Sequence, residues 1–116
     1  MILQEIESKL NEIDENVFYG MVDEAMNETF WNYIVFHRNV MRVSATKQGY
    51  ADVYTVNIVR ENFVPDGLAE EVINKMKEIA GMRVTGEDFE YNYIQKPKTN
   101  IIVEMLSINF VKPRKA

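Results

Sequence analysis

Residues 31–39 read WNYIVFHRN and hold the chain's only Trp and only His, beside an Arg. Two readings compete for this run: a reactive histidine site, or a strand. β-Branched and aromatic residues dominate it, the composition that fits a pleated, packed surface. Trp31, Tyr33 and Val35 alternate with Ile34 and Phe36, so a strand here is apolar on both sides. A general base needs a nucleophile, an orienting partner or a second ligand, and the sequence around His37 offers none. With no Cys and no second His, the common His/Cys zinc arrangements are excluded. WNYIVFHRN is read as sheet, with His37 a strand-end imidazole hydrogen-bonded to a neighbour.

The flanking chain supplies the other elements. Leu3, Ile6, Leu10 and Ile13 recur at three- and four-residue steps and predict an amphipathic helix over 2–14. Residues 15–30 show no sustained period and read as a long surface loop, with room for one helical turn. After a tight break near Asn39, NVMRVSA reads as a second strand, and KQG at 47–49 as a turn. In YADVYTVNIVREN (50–62), Tyr54, Val56 and Ile58 face one side and Thr55 and Asn57 the other, a half-buried strand. A second helix over 67–80 follows, capped by Asp66, with Glu70 and Glu71 complementing its positive end. Leu68, Val72, Ile73, Met76 and Ile79 form its apolar face, and Gly81 suits the left-handed position past its end. DFEYNYI (88–94) alternates Phe89, Tyr91 and Tyr93 with Glu90 and Asn92, and QKPKTN is a turn. NIIVEMLSINFV is the last strand; its change of phase near Met105–Leu106 means a bulge or burial on both faces.

The order is helix, three strands, helix, two strands, in one domain over 1–116. It predicts an α+β two-layer sandwich, with a mostly antiparallel or mixed sheet of about five strands and two helices on one face. At 47% hydrophobic and 27% charged, the 116 residues have the composition of a folded chain with a core of its own. The start has no basic n-region or continuous apolar run, and no stretch approaches the ~20 apolar residues of a membrane span.

The net charge of −5 argues against free or sequence-specific binding to nucleic acid. Residues 1–30 hold eight acids and one Lys, whereas the short C-terminal tail at 112–116, KPRKA, holds three bases. These are either solvated ends or ends that attract head to tail between copies. Asp14, Glu15, Asp23, Glu24 and Glu28 do not match a Ca²⁺ loop and read as a solvated acidic face or a surface for a basic partner. The glycines are isolated, without a phosphate-binding loop. Tyr33, Tyr50, Tyr54, Tyr91 and Tyr93 with Arg38, Arg42 and Arg60 read as core and interface packing rather than a base-stacking platform. No cofactor or metal site and no catalytic residue is indicated. An enzyme using Glu24 and Glu28 is the weakest of the readings.

Two helices cannot cover both faces of an apolar sheet, and an uncovered apolar face usually marks an interface. Trp31, Tyr33 and Val35 on the less-covered face are the expected contact residues, with Lys112, Arg114 and Lys115 meeting acids of the 15–28 loop. The order of pieces adds a resemblance: an N-terminal helix, a loop with VFYG, the strand WNYIVFHR, then YADVYTVNIV running into PDGLAEEVINKM, and NIIVEMLSINFV before a basic tail. This layout resembles the tail terminator, or tail completion, proteins of long-tailed bacteriophages and prophages, the lambda gpU type; related head–tail neck, adaptor and tube subunits are similar in style. The resemblance implies a virion protein without cofactor or chemistry, made in the bacterial cytoplasm. It implies a homo-oligomeric ring, commonly a hexamer, that caps the tail tube and offers a face to the head-completion or connector proteins. The alternative is a small intracellular ferredoxin-like binding or regulatory domain without catalysis.

Overall fold

A computed structural model describes residues 1–22, 31–43, 49–86 and 88–115. The order is α1 (Ile2–Asn11), β1 (Val17–Tyr19), β2 (Tyr33–Val43), β3 (Gly49–Glu61), α2 (Leu68–Lys77), β4 (Arg83–Val84), β5 (Glu90–Gln95) and β6 (Ile102–Lys115). The chain is α+β, with a six-stranded mixed sheet and, among the described residues, two helices. Sheet order is β1-β2-β3-β6-β4, with β5 also on β6. Among the described strands only β1 runs parallel to its neighbour.

The register explains the core. Ile34 lies opposite Ile58 and Ile58 opposite Leu106; Phe36 lies opposite Val56 and Val56 opposite Ile108; Tyr54 lies opposite Phe110. These rows share one face of the sheet because alternate side chains point the same way. Ile6 and Leu10 of α1 and Val72 and Met76 of α2 join them, with Ile79 and Met82, in one buried cluster. The three- and four-residue apolar spacing of both helices therefore meets the two-residue spacing of three strands.

Several elements differ from the sequence expectation. Residues 33–43 are one strand, because Asn39 is absorbed as a bulge between Arg38 and Val40 instead of ending the ladder. Within the expected 15–30 loop, 17–19 form β1, a pairing set by contact with β2 rather than by local pattern; 23–30 lie outside the described residues. The turn expected at 47–49 lies mostly outside them too. The sheet has six strands rather than about five, since two expected strands fuse into β2 while the short β1 and β4, which have no period to read, are added. Between β4 and β5 the chain spends residues 85–89 against only 108–109 of β6, so the two are segments of one interrupted edge.

Asp66 does not cap α2. The cap position is Gly67, at φ 89°, and no side chain bonds there. Gly81 does adopt the left-handed conformation, at φ 80°. The β3–β6 register is unbroken from Gly49–Lys115 to Glu61–Val103, so the phase change near Met105 reflects burial on both faces and not a bulge. The same ladder carries KPRK, which is strand and not a tail. Pro113 falls beyond the point where β4 stops, on an open edge where a strand tolerates its missing donor.

Phe36 is fully buried in the middle row, on β2 beside Val56. Phe36→Ala is expected to lower unfolding free energy by about 3–5 kcal/mol in denaturant titration, with Val35→Ala costing clearly less.

Candidate interaction surface

The sheet face away from the helices is not the open apolar layer expected from sequence. At one end Trp31 (8% exposed) and Tyr33 (5%) are buried with Val59 and Val103, and Phe18, Val22, Val35 and Met105 pack around them. Phe18 meets the Tyr33 ring edge-on at 6.0 Å. Burial raises the Tyr33 pKa, because the phenolate would lose its water. The Trp31 indole N–H has no hydrogen-bond acceptor among the described residues. Further along, the face becomes polar. Asn39 Nδ2 donates to Thr55 Oγ1 at 2.8 Å, and Thr55 Oγ1 donates to Asn109 Oδ1 at 2.6 Å. Ser107 Oγ donates to Asn57 Oδ1 one row away. Trp31 and Tyr33 are thus covered within the subunit and Val35 is half-buried, because polar pairs and a local cluster complete the face.

The uncovered apolar surface lies elsewhere. Strands β2, β3 and β6 have 11, 13 and 14 residues, and the two helices 10 each. At about 3.3 Å per strand residue and 1.5 Å per helix residue, three strands of roughly 36–46 Å run past helices of about 15 Å. The molecule is accordingly long, 51 × 26 × 25 Å. The overhang is a three-stranded arm made of the ends of β2 and β6 and the start of β3. On it Val40, Met41 and Val43 are 46%, 58% and 67% exposed. At its base opens a groove of about 500 Å³, lined by Ile2, Arg38, Met41, Asp52, Tyr54 and Arg114 among others.

The basic residues near the C-terminus are held on this arm. Arg114 Nε pairs with Asp52 at 2.8 Å, its guanidinium lies 5.4 Å from the Tyr50 ring centre, and Nη2 contacts Met41 Sδ. Lys112 Nζ donates to the Ala80 carbonyl at 2.8 Å. Strand extension carries these two side chains along β3; of the 15–28 acids they are expected to meet in another copy, Asp23, Glu24 and Glu28 lie outside the described residues. Lys115 is described by its backbone, opposite Gly49. His37 Nδ1 donates to the Arg38 carbonyl at 2.9 Å, the neighbour bond expected of it, although it lies within β2 and not at a strand end.

The acids of the body have structural partners. Asp14 pairs with Arg60 at 2.6 Å, both side chains nearly buried, and accepts from the Asn16 N–H at 2.8 Å. Arg60 also donates to the carbonyls of Tyr33 and Val59, tying the end of α1 to two strands. Glu61 accepts from Lys96 and Asn32. Glu104 accepts from the Val64 N–H, and its hydrogen bond to Tyr93 raises that phenol's pKa. Among the described residues no three His, Asp or Glu side chains stand as metal ligands, and no helix is long and apolar enough to cross a membrane. The arm was the feature missed from sequence. Its signal is VMRV at 40–43, apolar residues beside an arginine within an otherwise continuous strand. No protein-family model matches the chain, and a search of curated proteins finds no match.

The Asp14–Arg60 pair is expected to couple strongly. Arg60→Ala alone should cost about 3 kcal/mol or more, because it strands a nearly buried carboxylate, and the double variant with Asp14→Ala should cost less than the sum of the singles in a denaturant cycle.

Between the helices, Lys9 and Lys75 bridge Glu78 and Glu12 at 2.8 and 3.0 Å. The hydrogen bond from Lys9 lowers the Glu78 pKa; those to Glu78 and Glu12 raise Lys9 and Lys75. The Glu78 contribution is present above the ordinary carboxylate pKa and lost as pH falls through its lowered value. The lysine contributions are present below the ordinary lysine pKa and lost as pH rises through their raised values. The melting-temperature gap between the natural chain and Glu78→Gln should be widest near neutrality and close at both extremes.

Proposed function

We propose that this chain is a structural, ring-forming subunit of the tail terminator or tail completion type. It caps a phage or prophage tail tube and joins it to the head-completion or connector proteins, as part of the virion and without catalysis or cofactor. The architecture in this reading is a two-layer sandwich whose helix layer closes the core, leaving the overhanging sheet free for assembly.

One observation carries the reading. An arm of three paired strands projects beyond the helices and presents Val40, Met41 and Val43 to solvent between arginines. Exposed aliphatic side chains on a projecting, hydrogen-bonded ribbon have no role in the subunit's own core and suit contact with another protein. The layout from N-terminal helix to final strand adds the resemblance to tail terminators.

The test is genetic and visual. Deleting the reading frame from its prophage and inducing it should give unjoined heads and tails of irregular length in electron micrographs, with normal particles restored by the gene supplied in trans. Normal particles from the deletion strain would refute the assignment.

A further inference from the structure

The arm differs from the body in charge as well as shape. Its strand segments, with the adjoining β4, carry Arg38, Arg42, Arg83, Lys112, Arg114 and Lys115 against one acid, Asp52. With six bases against one acid at this end, the remainder of the chain carries −10 of the total −5. The opposite end of the long axis is acidic. Helix α2 begins beside Glu104, near the start of β6, and the turn after it reaches Lys112 near β6's end. Its first turn, with exposed Glu70 and Glu71 and with exposed Asp66 just ahead of the cap, therefore lies at the end of the sheet away from the arm.

We propose that the groove at the base of the arm receives the acidic first turn of α2 from a second copy of this chain. The inference deepens the ring-forming reading and rests on it. Arg38 and Arg114 offer guanidinium groups at the groove, and Met41 and Tyr54 offer apolar wall. Carboxylates at a helix start fit such a lining through charge-assisted hydrogen bonds, and the helix behind them packs on the apolar side. The charge division also sets the symmetry. Arm against arm sets like charges together, as does body against body. Only arm against body satisfies both surfaces, so copies join head to tail. A contact of that kind closes into a ring or runs on as a filament and does not stop at a two-fold dimer. Nucleic acid is the weaker occupant, because Val40, Met41 and Val43 would stay uncovered and the body would repel phosphates.

A charge swap tests this with the full-length chain, by sedimentation velocity at low and high salt. The natural chain should assemble at low salt and dissociate as salt screens the contact. R38E/R114E and E70K/E71K, each folded by circular dichroism, should each associate about a hundredfold more weakly or worse. An equimolar mixture of the two should recover assembly, since each reversed arm meets a reversed body. The milder R38Q/R114Q should lose part of the association, which covers the case in which a reversal variant fails to fold.

Assembly of the single variants like that of the natural chain, or folded variants whose mixture stays monomeric, would overturn the contact while leaving the ring reading in place. A natural chain monomeric at low salt at high concentration would overturn it too. Retention of duplex DNA, lost in R38E/R114E with the oligomer unchanged, would assign the arm to phosphate instead. Normal particles from the deletion strain, with the swap behaving as expected, would remove the tail-cap reading and keep the head-to-tail contact.

Discussion

The unbroken antiparallel ladder between β3 and β6 is the constraint on which the other features depend. Every residue from Gly49 to Glu61 has a partner on β6, so the two faces of both strands are defined along their whole length. A slip of one residue would send Val56, Ile58, Leu106, Ile108 and Phe110 to the wrong side. The ladder creates the helix-side core where the helices reach and the arm where they do not. Because it is longer than either helix, the molecule has a surplus of ordered sheet with no layer of its own to cover it.

That surplus is organised chemically. Near the strand starts, a local cluster around Trp31 and Tyr33 closes the face opposite the helices. In the middle, Asn39, Thr55 and Asn109 pair side chain to side chain, so this part of the sheet stays satisfied without a covering layer. At the arm, exposed aliphatic residues stand beside arginines, a composition that neither a core nor a purely solvated face requires. The nearly buried Asp14–Arg60 pair anchors the opposite end by joining α1 to the strands. One end is thus fixed by a nearly buried charge pair, and at the other the arginines of β2, Arg38 and Arg42, are exposed.

Local pattern exposed the parts that obey a single period. The α1 stripe of Leu3, Ile6, Leu10 and Ile13 and the alternation of Tyr54, Val56 and Ile58 were readable because each repeats one geometry over several turns or residues. Asn39 misled because the amide that favours turns also suits a bulge, and only pairing with β3 distinguishes the two. Residues 17–19 were unreadable because a three-residue parallel strand exists through its partner alone. The basic residues after Val111 read as a tail by charge, because only pairing with β3 shows that the ladder continues through them.

The sequence by itself determined the α+β class, both helices, the two-sided apolar character of 31–36 and the separation of acidic from basic residues. Those properties are carried by neighbours along the chain. Which apolar strand residues are covered, where Lys112 and Arg114 point, and which aliphatic residues stand in solvent were decided only by the tertiary structure. The physical reason is that coverage depends on the relative lengths of packed elements, here strands that run past their helices, and no local period encodes that difference.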